Sequence, residues 1–319
     1  MLLLTGATGL VGSSLLPRLV AEGAQVRCLV RDPRRLGAQR VRVQIALGDL
    51  ADPRSFRNAL RGVRTVVHLA ASIRDQPQGS IEEINGIATW RMVEAAERSG
   101  AERFLFFSTL GASTHHRARL LRAKALAEQA VRETPLQSTV FAASIVYAPG
   151  DHWLTLLERM ALLPLMPVSG NGRALYQPIW AEDAADCIIA ALQTPGEHRA
   201  KVGVGLDRGR GGSGGQGPRA QEPPGYERFE LAGPETLSHD EIVRVVLAGL
   251  NRKRPLLHLP TPIVSRALRL LQLTMGPRVF ATWDEAELME SAMISRRGVA
   301  DAEGLGVTPQ SMAAVLGAS

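Results

Sequence analysis

Short runs of consecutive apolar residues alternate along the first two thirds of the chain with longer segments whose apolar positions recur at helical spacing. The runs at 2–5, 25–31, 42–47, 65–70, 103–109 and 138–145 carry no strict polar alternation. That is the pattern of strands buried on both faces. Between them, 10–22 places Leu15, Leu16, Leu19 and Val20 on one stripe, 80–99 places Ile84, Ile87, Met92 and Val93, and 116–133 places Leu120, Leu121, Ala127 and Val131. Residues 181–193 form a further helical segment that packs back on the strands. Strand–helix alternation of this kind predicts an α/β fold, a doubly wound parallel Rossmann sheet covered on both sides.

Near residue 150 the texture changes, with prolines at 149, 164, 167 and 178. Residues 205–225 are rich in glycine, proline and arginine and nearly free of apolar side chains. Such a stretch buries too little surface to offset its ordering entropy and reads as a flexible insertion. An arginine–glycine segment that touches RNA, motivated by Arg208 and Arg210, is the weaker alternative. Patterned sequence resumes at 226, where Thr236 or Ser238 caps a helix carrying Ile242, Val245 and Val246. The expected division is therefore 1–150 plus about 178–204 as a dinucleotide-binding domain. About 151–177 and 226–319 make a smaller, mostly helical C-terminal unit that shapes a substrate site.

Composition narrows the class. The chain has 319 residues and a formal net charge of +6. The positive charge is almost all arginine, since lysine occurs only at 124, 201 and 253. This bias reads as overall composition rather than a nucleic-acid footprint, so nucleic acid is not an expected partner. No apolar stretch reaches the length of a membrane span, and no basic leader precedes the first apolar residues. Cys28 and Cys187 stand far apart in apolar surroundings, which suits buried thiols in the cytoplasm and forms no metal pattern.

The chemistry begins at "TGATGLVG". A strand is followed by Gly6, Ala7, Thr8, Gly9, Leu10, Val11 and Gly12, and then by an amphipathic helix. Gly6 permits a tight turn, Gly9 lets a pyrophosphate approach the backbone, and Gly12 lets the helix press on the strand. The first helical N–H groups then face the phosphates. A plain strand-to-helix turn is the competing reading. The end of the second strand, "CLVRDPRR", selects the dinucleotide. Arg31, Arg34 and Arg35 suit a 2′-phosphate and favour NADP(H). Asp32 beside them keeps NAD(H) open, and an exposed basic loop is the bland alternative.

These motifs resemble the extended and atypical short-chain dehydrogenases/reductases, of the NAD-dependent epimerase/dehydratase kind. "GDLADP" resembles the family's acidic turn after the third strand, which implies that Asp49 meets the adenine, with Leu50 beside it. "VVHLAA" resembles the fourth-strand turn at the adenosine, which implies roles for Leu69, Ala70 and Ala71. "INGIATWRMVEAA" matches with Asn85, "SIVYAPGD" with Ile145, and "RAKALAEQAV" with the family lysine at Lys124. "QPIWAEDAADCIIAAL" resembles the helix that returns from the substrate region, and "ELAGPETLSHDEIV" the start of the small C-terminal domain. "RAKALAE" and the tail from "ATWDEAELMES" onward are most similar to the atypical subgroup that resembles the Rossmann-type accessory subunit of respiratory complex I.

The departures bear on function. The family's catalytic pair is Tyr-x-x-x-Lys, and here Leu120 stands four residues before Lys124. Leucine transfers no proton. The family serine aligns with Leu110, although Ser108 and Thr109 stand one or two residues away. Lys124 remains as a ribose ligand, with an exposed helix lysine as the alternative. Other acids are weak candidates: His115 and His116 before the lysine helix, and Tyr147 after the sixth strand. His68 reads as a core histidine, while contact of Asp151 and His152 with a substrate is open, since nothing in the spacing requires it. In 261–280, Ile263, Val264, Ala267, Leu268, Leu271 and Met275 share a face, with Arg266 and Arg269 elsewhere. That helix either packs over the substrate cleft or meets a membrane surface or protein partner, which would put the protein at the inner membrane surface.

Three functions follow. The first is an NAD(P)H-dependent oxidoreductase acting on an unknown small molecule without the tyrosine acid. The second is a cofactor-holding structural or assembly protein. The third is a nucleotide-sugar epimerase or dehydratase, against which the missing tyrosine counts.

Overall fold

Seven strands lie side by side in a single parallel sheet in the computed structural model, which describes residues 1–193, 223–275 and 282–317. They are β1 (Leu2–Thr5), β2 (Val26–Val30), β3 (Gln44–Leu47), β4 (Thr65–His68), β5 (Arg103–Thr109), β6 (Gln137–Ala143) and a late strand, Tyr226–Leu231. The order across the sheet is β3, β2, β1, β4, β5, β6 and then the late strand. The chain leaves β1 toward β2 on one side and returns to β4 on the other, so β1 and β4 flank the point where the winding reverses. Thr5 pairs with Leu29 on one side and His68 on the other, which sets the strand ends level there.

The uninterrupted apolar runs bury on both faces, as their pattern requires. On one face α1 (Leu10–Ala21) and α6 (Ala181–Gln193) pack Leu15, Leu16, Leu19, Ala184, Ile188 and Ile189 against Leu4, Cys28 and Val67. On the other, α2 (Pro53–Arg57), α3 (Ala88–Arg98) and α4 (Arg119–Glu133) pack Phe56, Met92, Val93, Ala127 and Val131 against Leu3, Val66 and Phe104. β3 departs from its expected buried run: Gln44, Ile45 and Leu47 are exposed, because this strand is the edge. The expected helix 80–99 opens with a wider turn at Glu83–Ile87. There the buried Asn85 amide donates to Ile81 O and Ser72 O.

A second core sits beside the sheet. It is built from β7 (Val146–Tyr147), α5 (His152–Met160), β8 (Met166–Ser169), β9 (Leu175–Tyr176), β10 (Ile179–Trp180), β12 (Leu237–Ser238) and α7 (His239–Gly249). β13 (Leu256–Leu259), α8 (Thr261–Met275), α9 (Trp283–Leu288) and α11 (Met312–Gly317) complete it, with α10 (Ala300–Gly304) between α9 and α11 in the chain. Tyr147, Tyr176, Leu154, Ile242 and Met293 meet in its interior. Ser238, and not Thr236, caps α7 in a reciprocal box with Glu241.

Three sequence expectations need comment here. The late strand β11 (Tyr226–Leu231) pairs with β6 in the main sheet, although 226–319 was assigned to the smaller unit. Phe229 and Leu231 bury in the core on one face of the sheet and Tyr226 in the core on the other, which a boundary drawn from composition does not show. In α8 the buried positions are Thr261, Ser265 and Leu268, while Ile263 and Ala267 face solvent. The packed face thus holds two hydroxyl residues, and a stripe read from apolar residues alone misplaces it. The insertion at 205–225, with Arg208 and Arg210, lies outside the described residues up to 222, as do the side chains of Leu271 and Met275. Among the described residues, no helix is long and apolar enough to cross a membrane and no group of side chains could hold a metal ion.

β11 is tied down by one carboxylate. Buried Asp301 on α10 accepts from Glu230 N at 2.7 Å and pairs with Arg297 at 2.9 Å. Asp301→Ala leaves a buried N–H without an acceptor and is expected to cost about 2 kcal/mol. Asp301→Asn, which keeps an acceptor, is expected to cost less. Denaturant unfolding of both variants checks this, and equal losses would show that the bond to Glu230 contributes nothing.

Candidate functional site

β1 delivers the chain to Gly6, whose φ of +73° turns it sharply back. Gly9 N then donates to Gly6 O at 2.9 Å, and α1 starts at Leu10. A Cβ on Gly6 would lie 2.6 Å from Ala70 N, and one on Gly12 only 2.1 Å from Gly6 O. Both glycines are therefore demanded by the chain's own backbone. Gly9 is different: it is exposed, and its Cβ would stand 3.2 Å from Gly6 O, which is tight but not excluded. Its bareness leaves the backbone open to something lying over the turn. No side chain caps α1, and its first turn carries no acidic residue. A helix N-terminus with open N–H groups at the reversal of strand order fits a pyrophosphate.

The other matched positions fall along the same edge of the sheet, because parallel strands all end there. Arg31 follows β2, Asp49 and Leu50 follow β3, Leu69, Ala70 and Ala71 follow β4, Ser108 ends β5, and Ile145 follows β6. Arg31, Arg34 and Arg35 are exposed, and their guanidinium groups pair with none of the described residues. Asp32 instead accepts from Arg34 N at 2.9 Å and caps the short helical turn after β2. The Asp49 carboxylate accepts from Ala51 N at 3.0 Å.

Beneath this edge runs a buried polar chain. Thr5 Oγ1 and His68 Nδ1 lie 2.9 Å apart, His68 Nε2 and Thr89 Oγ1 3.1 Å apart, and Thr89 donates to Asn85 O. Thr5 Oγ1 also receives Ala70 N, so the chain fixes the turn after β4. Burial, with the charge of Lys124 nearby, lowers the His68 pKa to about 3. His68 is thus a neutral structural histidine near pH 7 and no proton donor.

At the end where chemistry would take place, polar groups give way to apolar ones. Leu110 is buried, and its N–H donates to Ala143 O at 2.7 Å. Leu120 packs against the second core. Lys124 is only 5% exposed, which excludes an exposed helix lysine. Its Nζ donates to Phe107 O at 2.7 Å and stands 4.7 Å from the centre of the Phe106 ring. Desolvation lowers its pKa to about 8, against the opposing pull of Glu128. The Ser108 hydroxyl is buried and has no partner among the described residues. Met293 lies over the ends of β5 and β6: its sulfur receives Thr109 Oγ1 and its carbonyl receives Ser144 Oγ at 2.6 Å. Tyr176 donates to Met289 O and anchors the same segment.

The remaining candidates serve elsewhere. Tyr147 is fully buried in the second core, and burial beside Asp183 and Glu235 pushes its pKa well above the usual phenol range. His116 Nδ1 accepts from Ala118 N, and burial between Arg122 and Arg117 lowers its pKa. His115 is exposed beside Thr114. Asp151 caps α5, and His152 Nε2 lies 2.8 Å from Arg74.

Sequence reasoning missed an ionic cluster that joins α4 and the segment after β4 to α9. Arg119 at the start of α4 binds Glu82 at 2.6 Å and Asp75 at 2.9 Å, with Asp284 of α9 at 3.5 Å. Arg74 binds Glu285 at 2.6 Å. Burial raises the Asp284 pKa to about 6. Partners so distant in sequence carry no local signal.

Residues 6–150 match the family described as NAD(P)H-binding. The ceramide reductase of Caulobacter vibrioides is 30% identical over 194 residues, covering 60% of this chain and 61% of that protein. Subunit 9 of the NADH dehydrogenase (ubiquinone) 1 alpha subcomplex, a mitochondrial protein of Arabidopsis thaliana, is 28% identical over 277 residues. That match covers 81% of this chain and 60% of the plant protein, so the chain spans less than two thirds of either relative. Among solved structures, a nucleoside-diphosphate-sugar epimerase from Staphylococcus aureus superposes with a TM-score of 0.72 over 99% of both chains, at 16% identity. Over residues 6–150, which hold the uncapped glycine turn at the reversal of the parallel sheet, the chain thus matches an NAD(P)H-binding family, and its fold is that of a solved nucleoside-diphosphate-sugar epimerase.

Proposed function

We propose that this protein takes NADP(H) in preference to NAD(H) and is an oxidoreductase toward a small molecule that needs no proton from a tyrosine. The observation that carries the cofactor preference is the set of guanidinium groups after β2, Arg31, Arg34 and Arg35, with no partner among the described residues. Asp32, the rival for the ribose hydroxyls, is already engaged with Arg34 N. A bound nicotinamide supplies a hydride. The chain itself supplies the turn for the diphosphate, the buried ammonium of Lys124 at the ribose, and an apolar wall at Leu110 and Leu120. That wall excludes water and offers no proton. The relative named as a reductase is in keeping with this reading.

A second reading is favoured by one feature. The Lys124 ammonium is tied to Phe107 O, and Met293 covers the adjoining strand ends. Such a site holds a dinucleotide for stability rather than for turnover, in keeping with the relative named as a complex I subunit. Epimerase or dehydratase chemistry shuttles protons at a sugar and is not supported by Leu120.

NADPH is expected to raise the melting temperature more than NADH at equal concentration. The Arg31→Ala/Arg34→Ala variant is expected to weaken NADPH roughly tenfold and leave NADH unchanged. Equal shifts in the unaltered protein would refute the preference. Oxidation of NADPH with quinones or an aldehyde panel marks the first reading, and binding without consumption the second. Leu120→Tyr is expected to introduce carbonyl reduction if the phenol position is otherwise intact.

Lys124 adds a pH signature. Its folded pKa of about 8 lies below the ordinary value of 10.5. The unfolded chain therefore binds the proton more readily across that interval, and this residue's contribution to stability rises with pH there. Lys124→Met is expected to be most favourable relative to the unaltered protein below pH 8, with the difference shrinking toward pH 10.5. Unfolding curves across that range check the sign.

A further inference from the structure

Away from the glycine turn, one face of the second core carries leucines in the open. α5 ends at Met160, and the loop after it exposes Leu162 at 63%, Leu163 at 48% and Leu165 at 44%. β8 then pairs in parallel with β13, and Met166 N donates to Pro255 O at 2.9 Å. This pairing brings Leu257, 43% exposed, alongside Pro167. The segment leading into β13 is Arg252, Lys253 and Arg254. The guanidinium groups of Arg252 and Arg254 both reach Ala161 O, at 3.4 and 3.3 Å. The basic run is thereby held against the base of the leucine loop. None of these three cations, nor Arg159 at the end of α5, pairs with a carboxylate among the described residues.

Two separate stretches of chain thus converge into one surface with projecting leucines and a rim of unneutralised cations. We propose that this surface docks on an anionic lipid membrane, with Leu162, Leu163 and Leu165 entering the headgroup boundary and Arg252, Lys253 and Arg254 meeting lipid phosphates. Exposed apolar side chains ringed by polar ones mark an interaction surface. The leucines are exposed on a loop beside cations that pair with no carboxylate among the described residues, a combination that suits an apolar layer faced with anionic headgroups. The long basic side chains beside them keep their charge in the phosphate layer while their stems lie along the apolar one. The surface is separate from α8, which turns Thr261, Ser265 and Leu268 inward. It is independent of the cofactor assignment.

The test is cosedimentation of the full chain with sucrose-loaded vesicles of phosphatidylcholine and of an equal mixture with phosphatidylglycerol. The protein is expected to pellet with the mixed vesicles and far less with phosphatidylcholine alone. Arg159→Gln/Lys253→Gln, which touches neither bond to Ala161 O, is expected to lower binding to mixed vesicles roughly fivefold per charge, as added salt does. Leu162→Ser/Leu163→Ser/Leu165→Ser is expected to abolish pelleting on both vesicles while leaving the melting temperature and the NADPH-induced shift unchanged. Those last two readouts separate lost docking from lost folding. Three results would overturn the proposal. One is protein that stays in the supernatant with mixed vesicles. Another is a triple serine variant that pellets as well as the unaltered chain. The third is light scattering that shows a self-associated protein which the triple variant turns into monomers without any effect of vesicles.

Discussion

The structure depends on a close approach between the first helix and the turn that precedes it. With 2.1 Å between a notional Cβ on Gly12 and Gly6 O, α1 can press on the end of β1 only because no side chain intervenes. With 2.6 Å between a notional Cβ on Gly6 and Ala70 N, the same turn rests against the segment that leaves β4. These contacts set the helix N-terminus over the gap between β1 and β4, where the winding of the sheet reverses. The helix dipole and its open N–H groups then point at one spot, and the ends of all the parallel strands face it. Arg31, Asp49, Ala71, Ser108 and Ile145 stand at or just beyond strand ends along that same edge of the sheet, placed there by strand parallelism.

A buried layer of polar groups supports the edge from below. Thr5, His68, Thr89 and Asn85 satisfy one another, and the neutral imidazole accepts its place because the hydroxyls on both sides meet its ring nitrogens. Lys124 is a buried cation close to this layer. It is held by Phe107 O and by the face of Phe106, and desolvation keeps its proton weakly bound. Around it Leu110 and Leu120 pack into the second core, and Met293 covers the ends of β5 and β6.

The second core owes its position to charge as much as to apolar contact. Arg119 and Arg74 reach from the sheet unit to Asp284 and Glu285, and Met293 reaches back over β5 and β6. These ties join segments more than 150 residues apart in the chain. They tie α4 and the segment after β4 to α9, while another part of the same core leaves leucines and basic side chains exposed.

The parallel sheet, its helices and the glycine turn were legible in the sequence because each rests on local periodicity or on a backbone requirement that only glycine meets. The absence of a proton donor at 120 was equally plain, since side-chain chemistry needs no coordinates. Other features depend on distance. The edge position of β3 and the return of 226–231 to the sheet follow from strand pairing, which residue pattern does not encode. The inward face of α8 holds Thr261 and Ser265 because neighbours supply their surroundings, so hydropathy misreads it. The burial of Lys124 and Tyr147, the ionic cluster of Arg119 and the cover of Met293 all join residues remote in the chain. Only the packed structure brings those together, because burial and Coulomb attraction act through space and leave no mark on sequence spacing.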